Sequence, residues 1–480
     1  MKINRILLLA AFTPLLFSCS EEVMDDINKE KNETTEMTAD YIITDCGLKT
    51  AFETTGTDIA WYSSVYIEHS AGTWGQHASA DKRVGQTSNS LMNNNWSSLY
   101  EVLKNLKFVL DKTDPINGTE PTNRWARGIA YVLTAYNLAV ATDMWGEVPW
   151  TEALQGTIIK QPKYDKQSEI YPKIFVMLDS AISNLDMATT GLSAVDYIYG
   201  GTFANNKASW IRAANSLKAR YWMRLVNRDA SAAQNALDAI GDGAFTSAAE
   251  EMKFAKYENT ATAENPWYQF LNDRTHLSVG QTLYDLMNDR NDPRMNVYFS
   301  LIGGTIVPAP NGTATETQGG TYSQSLLTIN GATAPTPLMT YHELLFIKAE
   351  AEFRTSVASW QTTLHDAIRA AFASKGLSDT EADNYFTNEV TPRLLGNELN
   401  EILTQKYIAL YEHEAIEAYN DYRRTGIPEM HNPNNSTVGF VNRFPWALSE
   451  MSSNKNVPQT DLDYIYTTKV WWAGGEELVP

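Results

Sequence analysis

The chain is poor in cysteine: of 480 residues, only Cys19 and Cys46 carry a thiol. Cys19 lies in the leader, so if it is modified no internal disulfide is possible, and neither a disulfide framework nor a cysteine-rich metal site can be built. Positive charge is also scarce, with 38 Lys and Arg against 57 Asp and Glu and a formal net charge of −19. That balance argues against nucleic acid as a partner and against an electrostatic grip on anionic lipid. No stretch after the leader is long and apolar enough to span a bilayer. No P-loop, dinucleotide fingerprint or Gly-x-Ser-x-Gly elbow is present. A zinc helix would need a second histidine one turn from His413, where Glu417 stands, and His342 is followed only by Glu343. The acidic run Asp289, Asn291, Asp292 lacks the sixth-position glycine and the twelfth-position glutamate of a calcium loop, with Ser300 in the latter's place. No metal or cofactor is therefore expected. The carboxylates around His413 are expected to pair with arginines such as Arg423 and Arg424. Carboxylate pairs are too plentiful in so acidic a chain for any one of them to indicate a glycosidase.

What is present begins with a leader. Lys2 and Arg5 precede an apolar run over residues 6–17, the n- and h-regions of a secretory signal. Leu16, Phe17, Ser18 and Cys19 fit the Leu-x-small-Cys pattern of a bacterial lipobox, in which the cysteine takes the lipid. Residues 1–18 thus read as a lipoprotein signal peptide, and residues 19–40, rich in Glu and Asp, as the lipidated cysteine and a solvated acidic tether. Acyl chains contribute about 0.8 kcal/mol per buried methylene, enough for several of them to hold the protein on a membrane.

The body, residues 41–480, is organised around residues 125–154. Apolar residues occupy nearly every face from Trp125 to Met144, which marks a buried helix. Gly146 is expected as a left-handed cap, and Pro149 forces the chain away, leaving a corner that presents Trp145 and Trp150. Aromatics beside a helix end more often pack than bind, so the corner reads as structural. Further helices are expected over residues 41–69 with a break at Gly56, and over 96–112, 168–184 and 208–227. The last should hold Trp210, Leu217 and Tyr221 inward and Arg212, Lys218, Arg220 and Arg224 mostly outward. Beyond residue 335, helices are expected at 337–354, 362–373 and 397–424. Residues 72–95 read as a long polar loop holding Trp74, Gln76, His77, Arg83 and Asn94, and a loop of that length in a compact domain is usually functional. Residues 241–334 read as irregular chain and short strands around one helix near 277–287. The fold class is therefore mainly α: a tetratricopeptide-like helix-pair superhelix, about 41–230 and 335–425, with an irregular, loop-rich second subdomain, about 240–335 and 430–480.

Several stretches carry a family resemblance. The lipobox is followed by Ser-Glu-Glu, the corner reads DMWGEVPW at 143–150, and YDKQSEIY stands at 164–171. Further along come ANSLKARYWMR at 214–224, NP at 265–266, NDPR at 291–294, YHELLFIKAEA at 341–351, EILTQKY at 401–407 and RFP at 443–445. In order and spacing these resemble the SusD/RagB-like outer-membrane lipoproteins, over nearly the whole chain. The resemblance implies a non-catalytic protein lipid-anchored at the outer membrane and facing outward. Such a protein would bind an oligosaccharide or other nutrient and pass it to a SusC-like, TonB-dependent transporter. A surface glycan hydrolase and a purely structural transporter partner stand as the alternatives. The family places its ligand site partly on the loop after the first long helix, here residues 72–95. Sugars need aromatic faces for stacking and amide or charged side chains for hydroxyls. The expected ligand contacts are therefore Trp74 as platform, Gln76, Arg83 and Asn94 as hydroxyl partners, and Trp267 or Tyr322 as a second wall.

Overall fold

Ala39, fully buried, opens the first helix, α1 (Ala39–Lys49), which runs on into a π-helical segment, Thr50–Thr55. The computed structural model describes residues 37–156 and 158–479, so the signal peptide, Cys19 and most of the acidic tether lie outside the described residues. After α2 (Asp58–Tyr66), β1 (Ser70–Gly72) and α3 (Gly75–Asp81) comes the scaffold proper. It consists of α4 (Asn93–Lys112), α5 (Arg124–Trp145), α6 (Gln167–Met187), α7 (Phe203–Arg224) and α8 (Ala232–Gly241).

Each of these helices packs on its neighbour in sequence, α4 on α5, α5 on α6, α6 on α7 and α7 on α8. The array continues non-locally through α11 (Tyr341–Arg354), which packs on both α8 and α12 (Trp360–Ala373), in a tetratricopeptide-like stack. Its centre is α5, whose first turn is capped by Asn123, the side chain accepting the Ala126 amide at 3.1 Å. Gly128 lets α6 approach closely, since a Cβ there would run into Leu185. The aromatic corner beyond α5 is packed, as its sequence implied. Trp145 donates its indole N–H to the Pro445 carbonyl at 2.9 Å and meets Trp96 edge-on at 5.2 Å. Gly146 differs from expectation: φ is +81° but ψ is −110°, outside the left-handed helical region and in territory that glycine alone enters without strain.

The second subdomain contains β2 (Met252–Phe254), α9 (Pro266–Asp273), β3 (Leu277–Val279), α10 (Gln281–Asn288) and β4 (Thr336–Met339). β1 pairs antiparallel with β3, Ser70 opposite Val279, and β2 pairs antiparallel with β4. These pairings explain three departures from the sequence reading. Residues 277–279 are strand, and the helix expected near 277–287 begins only at Gln281. Residues 336–339 are also strand, so the next helix begins at Tyr341, capped by the Thr340 hydroxyl on the Glu343 amide at 3.2 Å. The expected loop 72–95 holds β1's last residue and α3, and Asn93–Asn95 form the first turn of α4. A fourth departure lies at 397–424, where one expected helix is two, α13 (Glu398–Ala409) and α14 (Ala415–Thr425). Glu412 between them adopts φ +72° while its buried carboxylate accepts the Thr328 hydroxyl.

Buried ion pairs tie the two halves of the chain together. Arg220 and Arg224, expected outward, are buried on α7. Arg220 bonds Glu343, with its Nε 2.8 Å from Oε1, and Arg224 bonds Glu417 and lies 3.3 Å from Asp143. Glu417 therefore pairs with α7 and not with Arg423 or Arg424. Arg424 instead holds Glu350 at 2.6 and 2.8 Å and Asp421 at 2.8 Å. Burial alone would raise the Glu350 carboxyl, but Arg424 outweighs it and leaves it below the usual range. Asp292, proposed from sequence to be no calcium ligand, is clamped by Arg294 at 2.5 Å, whose guanidinium also reaches Gln405 at 3.1 Å.

Candidate functional site

Trp74 is carried by a short rigid connection. Beyond β1, the Thr73 amide donates to the His276 carbonyl at 2.8 Å, and the Thr73 carbonyl accepts the Thr317 amide at 2.7 Å. The backbone stays extended through Trp74, and α3 starts at Gly75, where φ is +56° beside the His276 ring. This turn throws the Trp74 indole outward, 40% exposed, with Gln76 exposed next to it on the first turn of α3. His77 faces the opposite way, among Trp61, Tyr62 and Phe270, and burial pushes it down to about 3, so it is neutral.

Tyr322 lies on the segment whose Thr317 meets this connection. It packs on Ala71, Ala309 and Ala314, and its hydroxyl oxygen accepts the Thr315 amide at 3.1 Å. Lys82 and Glu316 pair at 2.6 Å across the same two segments. The structure therefore keeps Trp74 and Gln76 together and exposed, with His276, Lys82 and Glu316 at the same junction, while Tyr322 packs on Ala71, which points away from Trp74 along the extended backbone. Sequence reasoning missed His276, Lys82 and Glu316. Their placement depends on contacts between residues more than 190 positions apart, and no local pattern signals it.

Beneath this face is a buried polar junction that accounts for Arg83. Arg83 is 3% exposed, with φ +58°, and its guanidinium bonds the Ala80 carbonyl at 2.9 Å and Asn435 at 2.8 Å while lying over the Tyr66 ring. It is thus a brace and not a partner for ligand hydroxyls. Glu68 accepts the amides of His431 and Asn432 at 2.8 and 2.9 Å, and Asp81 accepts the Gly312 amide at 2.7 Å and the Asn432 side chain at 3.3 Å. Together they pin the loops around 312 and 432 against α3.

Burial pushes Asp81 up to about 7 despite the Gly312 amide and nearby Arg83. An acid raised in the folded state contributes stability below its unfolded value, about 4, that is lost as pH climbs through about 7. Replacing Asp81 with Asn removes that dependence. Between pH 5 and 7 the stability difference should move in the variant's favour by ~2 kcal/mol, whatever constant offset the amide introduces. Urea titrations at each pH measure it, and a difference independent of pH would count against the raised carboxyl.

Two expected contacts lie elsewhere. Trp267 is 1% exposed in α9, edge-on to Trp61 at 6.5 Å and to His413 at 5.9 Å, so it offers no face to a ligand. The cause is local: Asn265 caps α9 on the amides of Trp267 and Tyr268, which turns the indole inward. Asn94 is exposed on the first turn of α4, but its neighbour Asn93 bonds the Leu448 amide at 2.6 Å, which places it beside residues 448–453. No hydrogen bond joins that corner to Trp74 among the described residues. No cluster of three or more His, Cys, Asp or Glu is gathered for a metal among the described residues, and no helix there is long and apolar enough to cross a membrane.

The chain matches a family model, SusD-like, described as "Starch-binding associating with outer membrane", over residues 31–445. Among solved structures, it is similar to a SusD/RagB family protein from Bacteroides thetaiotaomicron, at 32% identity and a TM-score of 0.84, over 92% of this chain and 100% of that one. It also shares its fold with a protein described as a chitin-binding SusD homolog from Flavobacterium johnsoniae, at 20% identity and a TM-score of 0.72, over 90% of this chain and 97% of that one. A further structure described as a chitin-binding protein matches at 23% identity and a TM-score of 0.74, over 91% of this chain and 100% of that one. No curated protein matches the sequence.

Proposed function

The chain belongs to the SusD-like family, and from that premise we propose that it is a lipoprotein of the outer membrane, held by Cys19 and facing outward. In this reading it binds an oligosaccharide without turning it over and delivers it to a TonB-dependent, SusC-like transporter. The observation that carries the binding is the 40% exposed Trp74, held by backbone bonds of its neighbour Thr73 and flanked by the exposed Gln76. A rigid indole standing in solvent costs apolar exposure that a sugar's C–H face can relieve, while the amide of Gln76 reads hydroxyls. The family description names starch, and two relatives of like fold are described as chitin-binding, which supports a glycan as the ligand class.

The full chain, solubilised from outer membranes, tests this reading. The Trp74→Ala variant is expected to lose ~10- to 100-fold in affinity for the oligosaccharide the parent binds in a calorimetric panel, the equivalent of about half an aromatic side chain kept from water. It should still co-purify with a β-barrel partner, and the oligosaccharide should be recovered intact. Unchanged affinity would remove Trp74 from the site; hydrolysed sugar would make the protein an enzyme; absence of any barrel would sink the transporter.

A further inference from the structure

A concavity of about 880 Å³ opens where β4, the start of α11, the end of α12 and residues 411–414 meet. That is within the range of sites for small organic ligands. It is separated from the Trp74 face by the aromatic layer of His77, Trp61 and Trp267, the last touching His413 at the groove's edge.

The groove's fixed charges are mostly spent internally. Glu414 bonds His342 at 2.9 Å and Thr340 at 2.7 Å, Glu251 holds Lys253 at 3.0 Å and the Tyr341 amide at 3.1 Å, and Arg369 is paired with Asp383 at 2.6 Å. Apart from the exposed Asp379, which also has no ion pair among the described residues, Lys375 is the exception. Its ammonium has no ion pair among the described residues and lies 5.9 Å from the centre of the Tyr298 ring. Burial lowers it from the usual lysine value, although Glu414, Glu412 and Glu251 pull the other way from a distance. Glu412 compensates weakly, because burial raises its own carboxyl to about 7. A part-exposed cation without an ion pair, in a groove where Asp379 is the other unmatched charge, offers a partner to an anion brought by the ligand. Tyr341 and the exposed hydroxyls of Ser247 and Ser374 line the same space, offering a ring face and hydroxyl partners.

We propose that this groove is a second saccharide site, for a sugar bearing a carboxylate, which meets Lys375 while the sugar ring lies against Tyr341. In taking a saccharide as the ligand, the proposal rests on the sugar-binding reading above. The probes are disaccharides of galacturonate and of glucuronate, with the corresponding neutral disaccharides and the oligosaccharide bound at Trp74 as controls, titrated calorimetrically into the full chain in detergent.

An acidic disaccharide is expected to bind, and Lys375→Gln to weaken it ~10-fold or more. Lys375→Arg should retain most of the affinity, and Trp74→Ala should leave it unchanged while weakening the neutral ligand ~10- to 100-fold. Unaltered melting of Lys375→Gln shows that the loss is local. The proposal is overturned if neutral and acidic disaccharides bind equally, if Lys375→Gln binds the acid as the parent does, or if neither acidic disaccharide binds while the Trp74 ligand does. That last outcome leaves the first site standing, whereas loss of Trp74-dependent binding alone strikes only the first reading.

Discussion

Replacing Arg224 with methionine is expected to lower the unfolding free energy by ~3–5 kcal/mol, the cost of removing one partner from a buried ion pair. Arg224 is 2% exposed, bonded to Glu417, 3.3 Å from Asp143 and stacked 5.3 Å from the Trp472 ring. Methionine restores much of the volume and none of the charge. Asp143 keeps the Tyr171 hydroxyl at 2.5 Å and the Trp472 indole at 2.8 Å, but these neutral donors do not balance a buried carboxylate. The pH dependence distinguishes this mechanism from simple loss of packing. Burial raises Asp143, and Arg224 is the chief influence opposing it. Without Arg224 the folded-state value rises further, so the contribution of a protonated Asp143 is present at low pH and lost as pH climbs through that higher value. The deficit of the variant should therefore grow from pH 5 to pH 8 in urea unfolding. A deficit under ~1 kcal/mol, or one that shrinks with pH, would show that the network is solvated.

These arginines show where sequence reasoning reached and where it stopped. The helices carrying them were legible because apolar residues recur with helical period, and α4 to α7 stand within a few residues of their expected bounds. The motif residues Arg220, Glu343, Glu350, Gln405 and Arg294 were visible as a pattern, yet their role was not. Arginine defaults to the surface, and the partners that bury these lie between 2 and 123 positions away along the chain. The same blindness governs the short strands. β1 and β3 have three residues each and exist only because they pair with each other across some two hundred positions, so residues 72–95 looked like loop and residues 277–279 like helix. At the candidate site, the family resemblance pointed to the loop at 72–95 and the chemistry of sugar binding to Trp74 and Gln76 within it, both exposed. Arg83 and Trp267 carried equally suggestive chemistry, but a polar junction buries one and the Asn265 cap turns the other inward. Residue type names the chemistry available, and only tertiary contact decides which side of the wall it faces.

Gly146→Ala is the smallest substitution with a large expected effect, and it bears on the corner that organises the chain. Two costs combine. At φ +81° and ψ −110° an alanine is strained by ~1–3 kcal/mol whatever surrounds it. What surrounds it is Arg443: a Cβ on Gly146 would fall inside the guanidinium, at Nη2. Arg443 is fully buried and pairs with the fully buried Glu147 at 3.1 Å, and Glu147 also accepts the Leu478 amide at 2.7 Å. The guanidinium cannot retreat without leaving that carboxylate unpaired, a further loss of ~3 kcal/mol or more. The variant is expected to lose upward of ~4 kcal/mol, seen as a collapse of soluble yield or of the urea midpoint. Pairing it with Arg443→Met isolates the second cost. If the clash dominates, alanine at 146 should harm the Arg443→Met background far less than the parent, and a coupling near zero would leave backbone strain as the whole effect. The corner's aromatic face, by contrast, is spent on packing: Trp145 is bonded to Pro445 and stands against Trp96 and Phe444, and Arg443 lies 5.9 Å from the ring of Trp446. A glycine with no room for one methyl group, rather than an exposed indole, is therefore what this stretch contributes, by fixing the tail of the chain against the helix stack.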